Sequence, residues 1–187
     1  MRKVVLTMQV TIDGFVATKD GALDWMWIHF NDALKQRAFE AVSRVSTHVM
    51  GRRTYLAQAA TWPNSNDPMG SLVNRAQKVV FSRTLDHLEW ENSRLATADL
   101  AQELAALKRQ DGGDIAITGG AQLAQSASRE GLVDEYQLVV HPIALGEGLA
   151  LFADLERPLQ LELVDSERFD TGVERVVLRP INPHTSS

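Results

Sequence analysis

The chain has 187 residues, 44% of them hydrophobic and 23% charged, which suits one globular domain at the usual scale of roughly 150 residues per domain. It contains no cysteine, which excludes disulfides, thiolate metal sites and a cysteine nucleophile together. A net charge of −5 argues against a nucleic-acid partner, and no apolar run reaches the ~18 residues of a membrane span.

The charge is unevenly spread. Residues 1–93 carry 11 basic and 9 acidic side chains, whereas residues 94–187 carry 8 and 15. An anionic ligand is therefore expected on side chains of the first half. A strand-like pattern starts within three residues of Met1, which leaves no signal peptide in view and points to a cytoplasmic protein.

Residues 3–10 are apolar and β-branched and read as a buried strand. Asp13-Gly14 turns the chain before Phe15-Val16-Ala17, and a second turn follows at Lys19-Asp20-Gly21. Residues 23–30 are aromatic-rich without a clean period, and read as a covering loop. Apolar residues then recur at helical spacing from Asn31 to Ser46, with Asn31 or Asp32 as the N-cap.

A short strand at 47–50 leads through Gly51 into a short helix at 52–60. Residues 61–70 hold two prolines and two asparagines and read as loop. Another buried strand is expected at 78–81, then a long polar connection carrying Trp90, then a helix at 101–108. Residues 114–118 read as a strand, Gly119-Gly120 as a tight turn and 121–129 as a helix with Gly131 at its C-terminal cap. A strand at 135–140 and a hairpin formed by 159–169 and 172–178 complete a single domain over 1–181, and residues 182–187 read as a disordered tail.

Strands and helices alternate and a hairpin closes the chain. This predicts an α/β fold in three layers, α-β-α, with a mostly parallel central sheet and an antiparallel C-terminal hairpin. Ligands of such sheets sit beyond the carboxyl ends of the strands. Three of those ends suit anions. Gly51-Arg52-Arg53-Thr54 and Ser82-Arg83-Thr84 offer guanidinium forks beside hydroxyls, and Gly119-Gly120-Ala121 puts bare backbone at a helix N-terminus. Each is also ordinary turn chemistry, but together they suggest a ligand with several phosphates, such as a dinucleotide. Neither the G-x-G-x-x-G fingerprint nor a Walker A lysine motif is present.

The segments VTIDGFVA (10–17), HVMGRRTY (48–55), TWP (61–63), KVVFSRTL (78–85), DIAITGGAQL (114–123) and GLVDEYQLVVHPIALGEGLALF (131–152), in that order, resemble the dihydrofolate reductase superfamily. The nearest branch contains the reductase domain of bacterial riboflavin biosynthesis. The resemblance spans about 3–180 and implies a cytoplasmic, homodimeric, NADPH-dependent reductase acting on a small-molecule heterocycle, similar to 5-amino-6-(5-phosphoribosylamino)uracil reductase. It implies that Gly51, Arg52, Arg53 and Thr54 lie beside the cofactor phosphates. Ser82 and Arg83, with Thr84, would hold the adenosine 2′-phosphate. Gly119, Gly120, Ala121, Gln122 and Leu123 would cradle the pyrophosphate. Residues 8–17, including Gln9, and the loop 18–30 would flank the nicotinamide and the substrate.

The remaining candidates each carry two readings. Asp13 is a substrate-side carboxylate or the partner of Gly14 in a turn. Asp32 is an acid facing the substrate, as on the first helix of dihydrofolate reductases, or a helix cap; Glu40 is the other carboxylate of that helix. Asp24 is an acid or a solvated loop residue. Trp25, Trp27 and Trp62 stack on a flat ring or pack in the core. His141 stands at a strand end, where a lone histidine is commonly structural. The five histidines lack paired ligand spacing, so no metal is expected. A dihydrofolate-type reductase and an NADP-binding protein without turnover are the alternatives.

Overall fold

The computed structural model describes residues 1–181, so the tail expected at 182–187 lies outside the described residues. The elements run β1 (Val4–Thr11), β2 (Phe15–Ala17), a 3-10 helix (Asp24–His29), α1 (Asp32–Ser43), β3 (Val45–Gly51), α2 (Arg52–Ala59), α3 (Pro68–Arg75), β4 (Gln77–Phe81), β5 (Ser93–Leu95), α4 (Leu100–Lys108), β6 (Asp114–Thr118), α5 (Ala121–Arg129), β7 (Glu135–His141), β8 (Leu149–Ala150), β9 (Leu161–Arg168) and β10 (Glu174–Pro180).

Eight strands form one sheet in the order β5-β4-β3-β6-β1-β7-β10-β9. The strands from β5 to β7 are parallel, and β10 and β9 add an antiparallel hairpin at one edge. A two-stranded sheet of β2 and β8 accompanies it. This is the expected three-layer fold.

Side chains alternate across a strand, so the sheet has two faces. One is largely apolar, with Thr47 and Gln77 at its amino-terminal end. Val4, Leu6, Met8, Val49, Val79, Ile115, Ile117, Tyr136 and Leu138 join Leu104, Leu107, Ala124 and Ala127 of α4 and α5 in one core. Each fully buried Leu or Ile there contributes about 2 kcal/mol, so stability is concentrated on this face. The α1 side carries two smaller apolar clusters, around Met50 and around Leu34. Alternation also puts Thr7 and Gln9 of β1, His48 of β3 and Thr118 of β6 on that side.

Several expectations change. Residues 61–70 are not all loop, because α3 starts at Pro68, where proline at the first helical turn costs no hydrogen bond, and Asp67 caps it by accepting from the Met69 N–H. The segment 23–30 contains a 3-10 helix. The polar connection after β4 adds β5, whose Arg94 makes a two-pronged ion pair with the buried Glu103 of α4. The strand expected at 135–140 runs to His141 as β7 and is paired on both sides, by β1 and β10. Among the described residues no helix is long and apolar enough to cross a membrane.

Candidate active site

The carboxyl ends of β4, β3 and β6 are neighbours. Gly51 pairs with Phe81 and Val49 with Ile117, so Arg52, Ser82 and Gly119 leave the sheet on three adjacent strands. At the usual strand spacing the three exits fall within about 10 Å.

The two helices that begin on this edge differ from the others. Asn31, Asp67 and Asp99 cap α1, α3 and α4 with side-chain oxygens. By contrast α2 and α5 begin at Gly51 and Gly120, with no side-chain cap and no acidic residue in the first turn. Their first N–H groups are left for another acceptor, and the helix dipole favours an anionic one.

The glycines also fit a close approach. Gly119 and Gly120 have φ of 60° and 80°, in the left-handed region. A Cβ on Gly119 would collide with Thr54 of α2, so the turn after β6 rests directly on the start of α2. The Arg53 Nη2 donates to the Asp20 carbonyl at 3.3 Å, joining α2 to the turn 18–22 across the edge. Arg52 and Arg83 are exposed, and among the described residues neither makes an ion pair. Ser82 Oγ accepts from the N–H groups of Thr84 and Leu85 at 3.1 and 3.0 Å, which holds Arg83 at the tip of a tight turn. Ala121 is buried in the core, Leu123 packs against it and Gln122 is exposed. Backbone donors, free guanidinium groups and a glycine cradle together suit a ligand with several phosphates.

The other candidates fall into separate groups. Gln9 and Trp25 meet at His141, whose Nε2 lies 2.7 Å from Gln9 Oε1 and whose ring packs edge-to-face with Trp25 at 5.2 Å. Burial, with a smaller contribution from His29, pushes the His141 pKa down to about 4, so the ring is neutral. Trp62 sits apart, against the cluster of Tyr55 and Trp90. Asp13 accepts from the Thr11 hydroxyl at 2.6 Å and from the N–H groups of Leu145 and Gly146, tying β1 to the loop after β7. Asp24 opens the 3-10 helix and is exposed. Asn31, not Asp32, caps α1 by accepting from the Leu34 N–H at 3.0 Å, which leaves the exposed Asp32 carboxylate free of that duty. Glu40 is engaged by Gln36 and Arg37.

Sequence reading missed His48. Its Nδ1 lies 2.9 Å from Thr118 Oγ1, the residue before the glycine turn. Burial, aided by the charge of Lys78, lowers its pKa to about 4. No periodicity marked it, since β3 reads VSTHVMG, with three polar residues in a row and then two apolar ones.

Residues 2–174 match the RibD C-terminal domain family. The chain is 32% identical over 185 residues to the uncharacterized protein YyaP of Bacillus subtilis, with 94% of each chain covered. A putative riboflavin biosynthesis protein from Shewanella sp. PV-4 superposes with a TM-score of 0.80 at 25% identity, covering 96% of this chain and 99% of that one. Dihydrofolate reductase from Enterococcus faecalis, solved in complex with NADP(H), shares the fold with a TM-score of 0.64 at 13% identity over 96% of this chain and 97% of that one.

Proposed function

Because the chain belongs to the RibD C-terminal domain family, we propose that it is an NADPH-dependent reductase of a small pyrimidine- or pterin-like heterocycle. The reaction is similar to that of 5-amino-6-(5-phosphoribosylamino)uracil reductase. The observation that carries this reading is the pair of glycine-led helix starts, α2 and α5, beside free guanidinium groups on one sheet edge. Gly51, Arg52, Arg53 and Thr54 take phosphate oxygens. Gly119, Gly120, Ala121, Gln122 and Leu123 receive the pyrophosphate on backbone N–H groups. Ser82, Arg83 and Thr84 take the 2′-phosphate that separates NADPH from NADH.

The bound cofactor supplies the hydride from its nicotinamide ring. The chain's own work is positioning, with reacting atoms to be held at about 3–3.5 Å, and exclusion of water by the segment 18–30. Gln9, Asp24, Trp25 and Trp62 are assigned to the substrate side. As the acceptor carbon gains the hydride, its neighbouring nitrogen or oxygen gains a proton. Asp32, relieved of capping by Asn31, is assigned to orienting the water that delivers that proton. Asp13 is assigned to holding the loop after β7 beside the reacting rings.

Calorimetric binding of NADPH, followed by NADPH consumption with a panel of pyrimidines, pterins and carbonyl compounds, tests the proposal. Turnover on a pyrimidine or pterin is expected. Tight NADPH binding without consumption on any member would make the protein a nucleotide-binding module. No NADPH binding would remove the reading altogether.

A further inference from the structure

A groove of about 380 Å³ lies between α1 and α3. Topology places it on the proposed site's edge. The two helices lead into β3 and β4, and α1 starts just after the 3-10 helix whose Trp25 packs on His141 at the carboxyl end of β7. The first turn of α1 and the cap of α3 are joined by an ion pair, Lys35 Nζ to Asp67 Oδ2 at 2.8 Å. Phe39 and Met69 provide apolar walls, and Asp32 and Gln36 stand on the rim.

The charge of this groove contrasts with the cofactor edge. There, Arg52 and Arg83 make no ion pair among the described residues. Here Lys35, the groove's one cationic lining residue, is bonded to Asp67 and also feels Asp32, and the two carboxylates raise its proton affinity. One ammonium against two carboxylates leaves the lining net negative. A phosphate entering would meet two carboxylates and a lysine whose charge Asp67 already offsets, whereas hydroxyl groups could donate to Asp32 and Asp67 over a carbon chain lying on Phe39 and Met69.

We propose that this groove holds the substrate's tail, and that the Lys35–Asp67 pair makes it select an uncharged, hydroxyl-bearing tail over a phosphorylated one. The inference rests on the reductase reading and narrows it. The substrate is a heterocycle without the phosphate present in the pyrimidine that the sequence resemblance implies.

Uridine and uridine 5′-monophosphate differ by that phosphate alone and serve as probes. Their dissociation constants are measured by calorimetry on the full chain, with and without NADP⁺. Uridine is expected to bind at least about tenfold more tightly than the monophosphate. Asp67→Asn keeps a good N-cap on α3 while freeing Lys35. It should bring the ratio below about threefold by raising monophosphate affinity, and adding Lys35→Met should restore the wild-type ratio. Asp32→Asn, which leaves every cap in place, should shift the ratio the same way if Asp67→Asn does not fold. The proposal is overturned if the monophosphate binds as tightly as uridine, if neither carboxylate variant moves the ratio, or if neither probe binds. Failure of NADP⁺ to bind counts instead against the cofactor reading, and the cofactor-free titrations still judge the groove.

Discussion

Thr54 and Gly119 touch in a way that only a glycine permits: a Cβ at residue 119 would stand 2.9 Å from Thr54 Cγ2 and 3.0 Å from its Oγ1. The contact locks the turn after β6 onto the first turn of α2, and so fixes the spacing of the two anion-receiving helix starts. Gly119→Ala meets this clash and also a left-handed φ of 60°. It should cost about 2 kcal/mol of stability and weaken NADPH at least about tenfold. Thr54→Ser removes Cγ2 but not the backbone strain. The double variant should therefore regain part of the stability, a coupling that urea denaturation of the four proteins in a cycle would read. Additive losses would mean that the contact is not what constrains the turn.

Gly51 allows the opposite experiment. Its φ of −83° and ψ of 168° suit any residue, and nothing lies within 4 Å of a Cβ placed there. Gly51→Asp should give α2 the side-chain cap it lacks, a gain of a few tenths of a kcal/mol, at most about 1. The same carboxylate would face the cofactor phosphates. The melting temperature should hold or rise slightly, while NADPH affinity falls at least about tenfold. Unchanged affinity would show that the start of α2 does not receive an anion.

The residues that build this edge were largely legible in the sequence. Strand β6 and helix α5 occupy the expected residues, because a short β-branched run, two glycines and an alanine-rich helix leave few alternatives. Strand β5 was not legible, since three half-buried residues carry no periodicity and its place depends on β4 and on the Arg94–Glu103 pair. Helix α3 was hidden because prolines and asparagines ordinarily signal loop, yet Asp67-Pro68 is also a sound helix start. The groove between α1 and α3 was therefore invisible, although Asp32 itself had been singled out. The Gln9–His141–Trp25 contact joins residues more than a hundred positions apart, and no local pattern announces it.

Arg83 separates the two nicotinamide cofactors. Held at the tip of the Ser82 turn and without an ion pair among the described residues, its guanidinium is assigned to the 2′-phosphate. A charge-assisted bond of this kind contributes about 1.5–3 kcal/mol, so Arg83→Ala should weaken NADPH roughly 10- to 100-fold. NADH affinity should change less than about threefold, since that cofactor lacks the phosphate. Parallel titrations of both cofactors make the comparison, and equal losses would remove the assignment.

His48 and His141 predict how stability responds to acid. Both are buried, and burial lowers each folded-state pKa to about 4. In the unfolded chain each titrates near its ordinary value of about 6.5. Between these values the unfolded chain binds protons that the folded one refuses, so stability is complete above about 6.5 and falls as the pH drops towards 4. The loss approaches about 3 kcal/mol for each histidine. Glu103 acts in a different window. The Arg94 bonds lower its pKa to about 2, so its contribution is lost only below the ordinary carboxylate range. Urea denaturation across this range should show stability declining well before carboxylates protonate. His48→Asn preserves a polar group facing Thr118, and His141→Gln preserves one facing Gln9. Their double variant should flatten the curve above about pH 4.5. A wild-type protein equally stable at neutral pH and near pH 4.5 would mean that these rings are not held neutral by the fold.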